Sequence, residues 1–189
     1  MRVIAGSARR LKLKAPDGMD TRPTQDIIKE TLFNMIQTEV PGSVFVDLCA
    51  GSGQIGIEAL SRGARRAYFV ENGRAAAACI QQNLHTTHFE ETGVLLRQDV
   101  LSALRHIREK EADIIYMDPP YEAPAVHSIL RALPTLPYFT DNTLVIVETS
   151  LETEFPELEE LGLELVREKR YRTNRHLFIR KKERNIGEL

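Results

Sequence analysis

The 189-residue sequence has only two cysteines, Cys49 and Cys79, and no tryptophan. The cysteines form no Cys-x-x-Cys pair, which favours a reducing, cytoplasmic setting with no disulfide framework. We interpret both as small buried side chains. No apolar run approaches the roughly 18–20 residues of a membrane-spanning helix, and residues 1–16 lack the apolar region of a signal peptide. These absences predict a single globular protein in the cytoplasm, and nothing in the sequence requires more than a monomer.

Basic residues are scarce in the middle of the chain and concentrated near its ends. Residues 1–16 carry five basic side chains and no acid, residues 152–164 carry six glutamates and no base, and residues 167–182 carry eight basic side chains and one acid. This segregation predicts a polyanionic partner bound by the two ends, although basic tails are also common as solvated surface. The candidate RNA-binding residues are Arg2, Arg9, Arg10, Lys12, Arg172 and Arg175.

From residue 44 onward, short apolar runs alternate with helical patterns. Strands are predicted at 44–48, 67–71, 93–98, 113–117 and 143–148, with helices near 54–62, 74–85, 100–110 and 124–133. This alternation is typical of an α/β fold with a mostly parallel sheet covered by helices on both faces. Residues 163–169 and 175–181 are predicted to form an antiparallel C-terminal hairpin.

The chain before this alternation is predicted to contain a small extension and one helix. Residues 2–5 and 11–15 suggest a basic β-hairpin within an extension spanning 1–22, followed by one domain spanning 23–189. Thr24 is predicted to be the N-cap of the helix that follows.

A glycine-rich loop directly follows the first strand of the predicted sheet. Gly51, Gly53 and Gly56 satisfy G-x-G-x-x-G, and Glu71 lies 20 positions after Gly51. This spacing matches the dinucleotide fingerprint, in which the acid binds the ribose. However, Asp47 precedes the loop and no Lys or Arg occurs between residues 44 and 61. An anionic loop disfavours a pyrophosphate and suits S-adenosylmethionine, which carries a sulfonium and an ammonium group and no phosphate.

Other small or polar residues after strands complete the candidate cofactor site. They are Ala50 and Ser52 in the loop, Asn72 after Glu71, and Asp99 after the third strand. Asp99 could contact the adenine amine or simply cap the next helix, and the sequence leaves both open.

A second motif, Asp118-Pro119-Pro120-Tyr121, directly follows the fourth strand. The two prolines remove backbone donors, which leaves a carboxylate and carbonyls to accept hydrogen bonds from an amine. If Asp118 and the Pro119 carbonyl accept the hydrogens of an aryl amine, its lone pair can point at the methyl donor. Tyr121 offers a flat face on which a flipped base can stack. In an arbitrary protein the same motif would be a stiff turn with a core tyrosine.

The stretches DLCAGSG and DPPY resemble the class I S-adenosylmethionine-dependent amino-methyltransferases. Three longer stretches are similar to a narrower family, the bacterial guanine-N2 methyltransferases of 16S ribosomal RNA, called RsmD-type. These stretches are MRVIAGSARRLKLKAPDG, TRPTQDIIKETLFNMI and GQIGIEALSRGA, and the resemblance extends from Met1 to about Arg180. The resemblance implies a seven-stranded sheet and methylation of one guanine within an assembling small subunit. It also implies that Arg22 and Thr24 belong to a segment that closes over the methionine end of the cofactor.

Two other functions fit parts of the sequence. The glycine pattern alone would suit a nicotinamide-dependent oxidoreductase, and the basic ends alone would suit an RNA-binding module without catalysis. A metal site at His85 and His88 is not expected, because no further ligands surround the pair at a suitable spacing.

Overall fold

The computed structural model describes residues 1–16, 23–119 and 125–183. Within them, seven strands and five α-helices alternate along most of the chain. The helices are α1 (Pro23–Met35), α2 (Gln54–Ser61), α3 (Arg74–Thr87), α4 (Val100–Ala103) and α5 (Ala125–Ala132). The strands are β1 (Val44–Asp47), β2 (Arg66–Val70), β3 (Gly93–Leu96), β4 (Ile114–Met117), β5 (Leu144–Ser150), β6 (Leu163–Arg170) and β7 (Asn174–Lys181).

The seven strands form one sheet in the order β3-β2-β1-β4-β5-β7-β6. Strands β1 to β5 pair in parallel, whereas β7 is antiparallel to both of its neighbours, β5 and β6. The predicted α/β class, the mostly parallel sheet and the C-terminal hairpin are confirmed. The hairpin inserts its second strand next to β5, so β6 becomes the edge strand.

Both faces of the sheet are covered by packed apolar side chains. In β1, Phe45 contributes to the cluster on one face, while Val44 and Val46 contribute to the cluster on the other. Because strand side chains alternate between faces, a strand covered on both sides must be apolar throughout. This explains why the parallel strands could be recognised as continuous apolar runs.

The N-terminal segment lies along α2 rather than forming a regular hairpin. Arg2 and Lys12 form a single antiparallel bridge, so the predicted strands at 2–5 and 11–15 are reduced to one pair. The backbone N–H groups of Ile4 and Ala5 instead donate to the buried Glu58 carboxylate of α2, at 2.8 and 3.0 Å. Donors satisfied by a helix side chain cannot also form a strand ladder.

Two local predictions near helix ends were wrong. Helix α1 begins at Pro23, which places Thr24 inside the helix rather than at its N-cap. Proline is favoured at the first helical position because its missing N–H would have no partner there. The helix predicted at 100–110 has only one short α-helical stretch followed by a 3₁₀ turn at Leu104–His106. None of the helices within the described ranges is long and apolar enough to cross a membrane.

Candidate functional site

A cavity of about 240 Å³ opens at the carboxyl ends of the parallel strands. The chain moves from β1 to β2 and β3 on one side and then returns to β4 on the other side of β1. This reversal creates a topological switch point between β1 and β4, where open α/β sheets bind ligands. The residues lining the cavity are Met1, Gln25, Ile28, Lys29, Leu32, Asp47, Cys49, Ala50, Gly51, Ser52, Gln54, Ile55, Tyr116, Asp118, Glu148 and His176.

Ala50, Gly51 and Ser52 of the glycine loop line this cavity, and two glycines of the loop adopt left-handed conformations. Gly51 has φ 54° and Gly53 has φ 80°. A side chain at Gly53 would also approach Ile80 and Phe69 to within 3.2–3.3 Å. The loop therefore requires glycine at Gly53 for both conformation and packing.

Asp47 ends β1 and is 1% exposed at the cavity wall. Its Oδ2 accepts a 3.3 Å hydrogen bond from the Gly56 N–H, while its Oδ1 is buried without a hydrogen-bond partner among the described residues. Burial raises the pKa of Asp47 to about 7, and the charge of Glu71 acts in the same direction. A buried carboxylate oxygen without a donor is a binding position for a cationic or hydrogen-bond-donating ligand group.

Glu71, at the end of β2, connects the glycine loop to the loop between β2 and α3 through hydrogen bonds. Its Oε2 accepts from the Gly51 N–H at 2.9 Å, and its Oε1 accepts from the Gly73 N–H at 2.7 Å. Each carboxylate oxygen has a second lone pair, so this arrangement still permits Glu71 to accept ligand hydroxyl groups.

Asp118 follows β4 on the opposite side of the switch point and is exposed to solvent at the cavity. None of the described residues donates a hydrogen bond to its carboxylate. Partial desolvation, followed by the negative charges of Glu148 and Asp47, raises the pKa of Asp118 above its usual range. Pro119 is buried beside it. Pro120, Tyr121 and Arg22 lie outside the described residues, as does the side chain of Thr24.

A cation that sequence reasoning missed lies in the cavity wall. Lys29 of α1 is 2% exposed and donates to the Arg2 carbonyl oxygen at 2.7 Å, with Glu58 Oε2 at 3.8 Å. Desolvation lowers the pKa of Lys29, although the nearby Glu58 opposes this effect. Residues 44–61 contain no Lys or Arg, and α1 brings Lys29 to the cavity from elsewhere in the chain. The cavity nevertheless remains acidic, because its lining contains three carboxylates and one lysine.

A polar cluster beside Asp118 was also missed. Glu148, His176 and Tyr116 all line the cavity, and Glu148 Oε2 accepts from the Tyr116 hydroxyl at 2.7 Å. Glu148 could have been found, because it stands near the carboxyl end of a predicted parallel strand. His176 gave no such signal, since it reaches the cavity from the antiparallel strand β7.

Several sequence candidates, Gly53 and Glu71 among them, lie outside the cavity lining. Asp99 is exposed and caps α4 by accepting from the Ser102 N–H at 3.0 Å. The capping alternative is therefore observed, and an adenine contact remains a prediction. Asn72 is exposed and does not line the cavity.

The basic candidates differ in exposure. Arg2, Arg9, Arg10, Lys12 and Arg172 are exposed. Arg175 is different, because its side chain is 12% exposed and donates to Glu168 Oε1 at 2.9 Å and to the Thr153 carbonyl. This pairing makes Arg175 a structural residue rather than an available phosphate contact.

Cys49 lies in the cavity but is chemically unsuited to act as a nucleophile. Burial, with Asp47 as the next cause, raises the pKa of the Cys49 thiol to about 12. A thiol in this environment carries almost no thiolate at neutral pH. Methylation of a carbon through a cysteine adduct is therefore disfavoured.

Strand order, the switch-point cavity and the acidic glycine loop together define the class I methyltransferase fold, as predicted. A solved structure described as "Putative methyltransferase yhhF from Escherichia coli" superimposes with a TM-score of 0.81 at 28% identity, covering 97% of this chain and 99% of that one.

The sequence comparisons identify the particular family. The family model described as "Conserved hypothetical protein 95" matches residues 1–180. "Putative rRNA methyltransferase YlbH" of Bacillus subtilis is 36% identical over 159 residues, which span 83% of this chain and 86% of the relative. "Ribosomal RNA small subunit methyltransferase D" of Escherichia coli is 32% identical over 156 residues, 82% of this chain and 78% of the relative. The chain belongs to this family, and the predicted RsmD-type membership is confirmed.

Proposed function

We propose that this protein transfers a methyl group from S-adenosylmethionine to the exocyclic N2 of a guanine in small-subunit ribosomal RNA. The observation that carries the proposal is the pair of acids on either side of the switch point. Asp47 offers an unpartnered buried oxygen and Asp118 offers a solvent-accessible carboxylate in the same cavity. The names of the relatives support ribosomal RNA as the substrate class.

The cavity lining, together with the adjoining Glu71, fits S-adenosylmethionine better than a dinucleotide. Asp47 can hold a positively charged group, the backbone around Gly51 and Ser52 can lie against the ligand, and Glu71 can accept from ribose hydroxyls. Lys29 is already paired and would not neutralise a pyrophosphate. When bound, S-adenosylmethionine supplies a methyl group whose bond to sulfur breaks as a bond to the amine nitrogen forms, and the sulfur keeps the electron pair.

The acceptor side of the reaction depends on Asp118. Its carboxylate accepts a hydrogen of the guanine amine, with the Pro119 carbonyl as second acceptor, which directs the nitrogen lone pair towards the methyl group. As nitrogen becomes positive during the transfer, the carboxylate stabilises that charge and takes the proton that the amine loses. Tyr121 provides the stacking surface for the flipped base in this proposal.

The direct test of this activity is methylation of purified small subunits that lack the modification. With labelled S-adenosylmethionine, we expect label in N2-methylguanosine after digestion to nucleosides. Label only in methylated adenosine or cytidine would reject the guanine assignment. Failure to transfer any label, together with a thermal shift from NAD and none from S-adenosylhomocysteine, would favour the oxidoreductase alternative.

We further propose that exposed basic residues bind the RNA backbone. Arg172 lies in the turn between β6 and β7, which stands at the same sheet edge as the cavity because Asn174 pairs with Ser150. Arg9 and Arg10 lie in the turn of the N-terminal segment, beside the end of α2. The two groups would contact different parts of the RNA.

Replacing Arg9, Arg10 and Arg172 together by Gln should weaken RNA binding and flatten its salt dependence. Losing two to three phosphate contacts should reduce the slope of log K against log salt by about 2. The matched control replaces three exposed basic residues in the connection before β4: Arg105, Arg108 and Lys110. Equal slopes for the two triple variants, measured by filter binding, would assign the basic ends to solvated surface only.

A further inference from the structure

Glu148 stands beside Asp118 at the cavity. Met117 of β4 pairs with Val147 of β5 in parallel register, so the next residues along the two strands, Asp118 and Glu148, are neighbours. Both line the cavity, and their charges interact. The acceptor side of the site therefore presents two adjacent carboxylates.

Three donors fix the position and the charge of Glu148. Its Oε2 accepts from the Tyr116 hydroxyl at 2.7 Å and faces His176 Nε2 at 3.0 Å, while its Oε1 accepts from Asn174 Nδ2. Fully buried His176 faces the Tyr171 hydroxyl through Nδ1, at 3.2 Å, so a proton on Nε2 satisfies both contacts. Burial opposes ionisation of Glu148, but the contacts with His176, Tyr116 and Asn174 outweigh it and hold its pKa below the ordinary range.

This arrangement leaves Glu148 able to accept one more hydrogen bond. An ionised carboxylate has about four lone-pair sites and no hydrogen to donate. The three donors use three of these sites, and the side chain keeps 15% exposure at the cavity. A ligand group next to the amine held by Asp118 must therefore be a donor, because an acceptor would face a negative charge.

Among the bases with an exocyclic amine, guanine meets this requirement. The amine of guanine stands next to the N1–H donor, whereas the amine of adenine stands next to the N1 acceptor and that of cytosine next to the N3 acceptor. We propose that Glu148 selects guanine by accepting its N1–H while Asp118 accepts the neighbouring N2 amine. This inference rests on the proposed methyltransferase function and adds the residue that distinguishes the bases.

Glu148 should also contribute to the rate, and not only to recognition. As the methyl group bonds to N2 and the sulfur–carbon bond breaks, N2 becomes positive and withdraws electron density through C2, which makes the neighbouring N1–H a stronger hydrogen-bond donor. The proton that leaves N2 goes to Asp118, so the N1–H stays in place and its bond to Glu148 strengthens in the transition state.

The test places 2-aminopurine at the methylated position of the RNA, once that position has been mapped. This base keeps the N2 amine but presents an acceptor at N1. We expect the wild-type protein to have a kcat/KM at least about 30-fold lower on this RNA than on the guanine RNA, because one charge-assisted hydrogen bond is replaced by repulsion.

The variant Glu148→Gln should reduce the kcat/KM preference for guanine RNA over 2-aminopurine RNA to less than about fivefold. The glutamine amide can donate to the N1 acceptor of 2-aminopurine, so the variant should lose kcat on guanine and gain relative activity on the analogue. The wild type and the variant are tested on the same two RNAs. The change in the guanine-to-2-aminopurine ratio of kcat/KM between the two proteins therefore isolates the contact between residue 148 and N1.

The pH profile gives a second readout, which reports the negative charge of Glu148 beside Asp118. The other titratable side chains that line the cavity with Asp118 are Lys29, Asp47, Cys49, Tyr116, Glu148 and His176. Of these, Glu148 and Asp47 are the charges that raise the pKa of Asp118. Removing the charge at residue 148 should therefore move the acidic limb of kcat/KM on guanine to lower pH.

Three outcomes are distinguishable. A wild-type protein that methylates 2-aminopurine as fast as guanine would overturn the inference, whatever the variant does. A folded Glu148→Gln variant with an unchanged preference would also overturn it. The absence of N2-methylguanosine with the wild-type protein would instead reject the proposed function itself.

Discussion

Replacing Asp47 by Asn should make the empty protein more stable at pH 8 and abolish its affinity for S-adenosylmethionine. Burial raises the pKa of Asp47 from 3.8 to about 7, so ionising this group above pH 7 costs about 4 kcal/mol of the free energy of unfolding. The Asn amide would still leave one buried polar atom without a partner, at the position of Asp47 Oδ1. We therefore expect the variant to recover only about 2 kcal/mol of this free energy of unfolding. This corresponds to an increase in Tm of roughly 4–8 °C for a chain of this size.

The stability difference between the wild type and Asp47→Asn should depend on pH. The folded protein holds a proton on Asp47 at pH values where the unfolded chain has lost it, so this group stabilises the fold fully below about pH 4. The stabilisation disappears as the pH rises through about 7. The Tm values of wild type and Asp47→Asn should therefore converge towards pH 4 and separate at pH 8.

A matched control is available in Asp141, which precedes β5 and is 92% exposed in its side chain. Asp141→Asn should change neither the stability at pH 8 nor the thermal shift with S-adenosylmethionine. If Asp47→Asn lowers Tm at pH 8 and keeps the ligand-induced shift, the buried carboxylate is a structural group and the cofactor binds elsewhere.

Replacing Asp118 by Ala should lower kcat by about 100- to 1,000-fold while leaving the affinity for S-adenosylmethionine nearly unchanged. The carboxylate acts on the amine rather than on the methyl donor, and removing one preorganised group that stabilises developing charge has an effect of this size. Single-turnover methylation of small subunits, with calorimetry of cofactor binding, measures the two quantities separately.

The isosteric variant Asp118→Asn separates the two roles of the carboxylate. Its amide oxygen still accepts one amine hydrogen but carries no charge and takes up no proton, so its kcat should lie between those of the wild type and Asp118→Ala. If either variant raised KM for the RNA without lowering kcat, Asp118 would bind RNA and take no part in the methyl transfer.

Most of the fold could be predicted because local sequence and tertiary packing agree in this chain. Strands covered on both faces must be apolar throughout, and the helices between them follow regular apolar spacing, as in α2 and α3. The N-terminal segment was harder to predict, because its alternating pattern suggests strands while Glu58 and Ser61 of α2 take its backbone donors. A partner 50 or more residues away leaves no trace in a local pattern.

The site residues that directly follow a parallel strand could be predicted from the sequence. Asp47, Glu71 and Asp118 each stand directly at the carboxyl end of a parallel strand, and strand direction alone brings them to one edge of the sheet. Lys29 and His176 could not be predicted in this way. Helix α1 supplies the first from outside the sheet, and the second depends on the pairing of β7 with β5.

Nucleoside analysis of 16S ribosomal RNA from cells with and without this protein tests the proposed function most directly. We expect one N2-methylguanosine to disappear when the gene is deleted, to return with the wild-type protein, and to stay absent with Asp118→Ala. An unchanged set of modified nucleosides after deletion, or the loss of a methyl group from another base, would contradict guanine-N2 methylation by this protein.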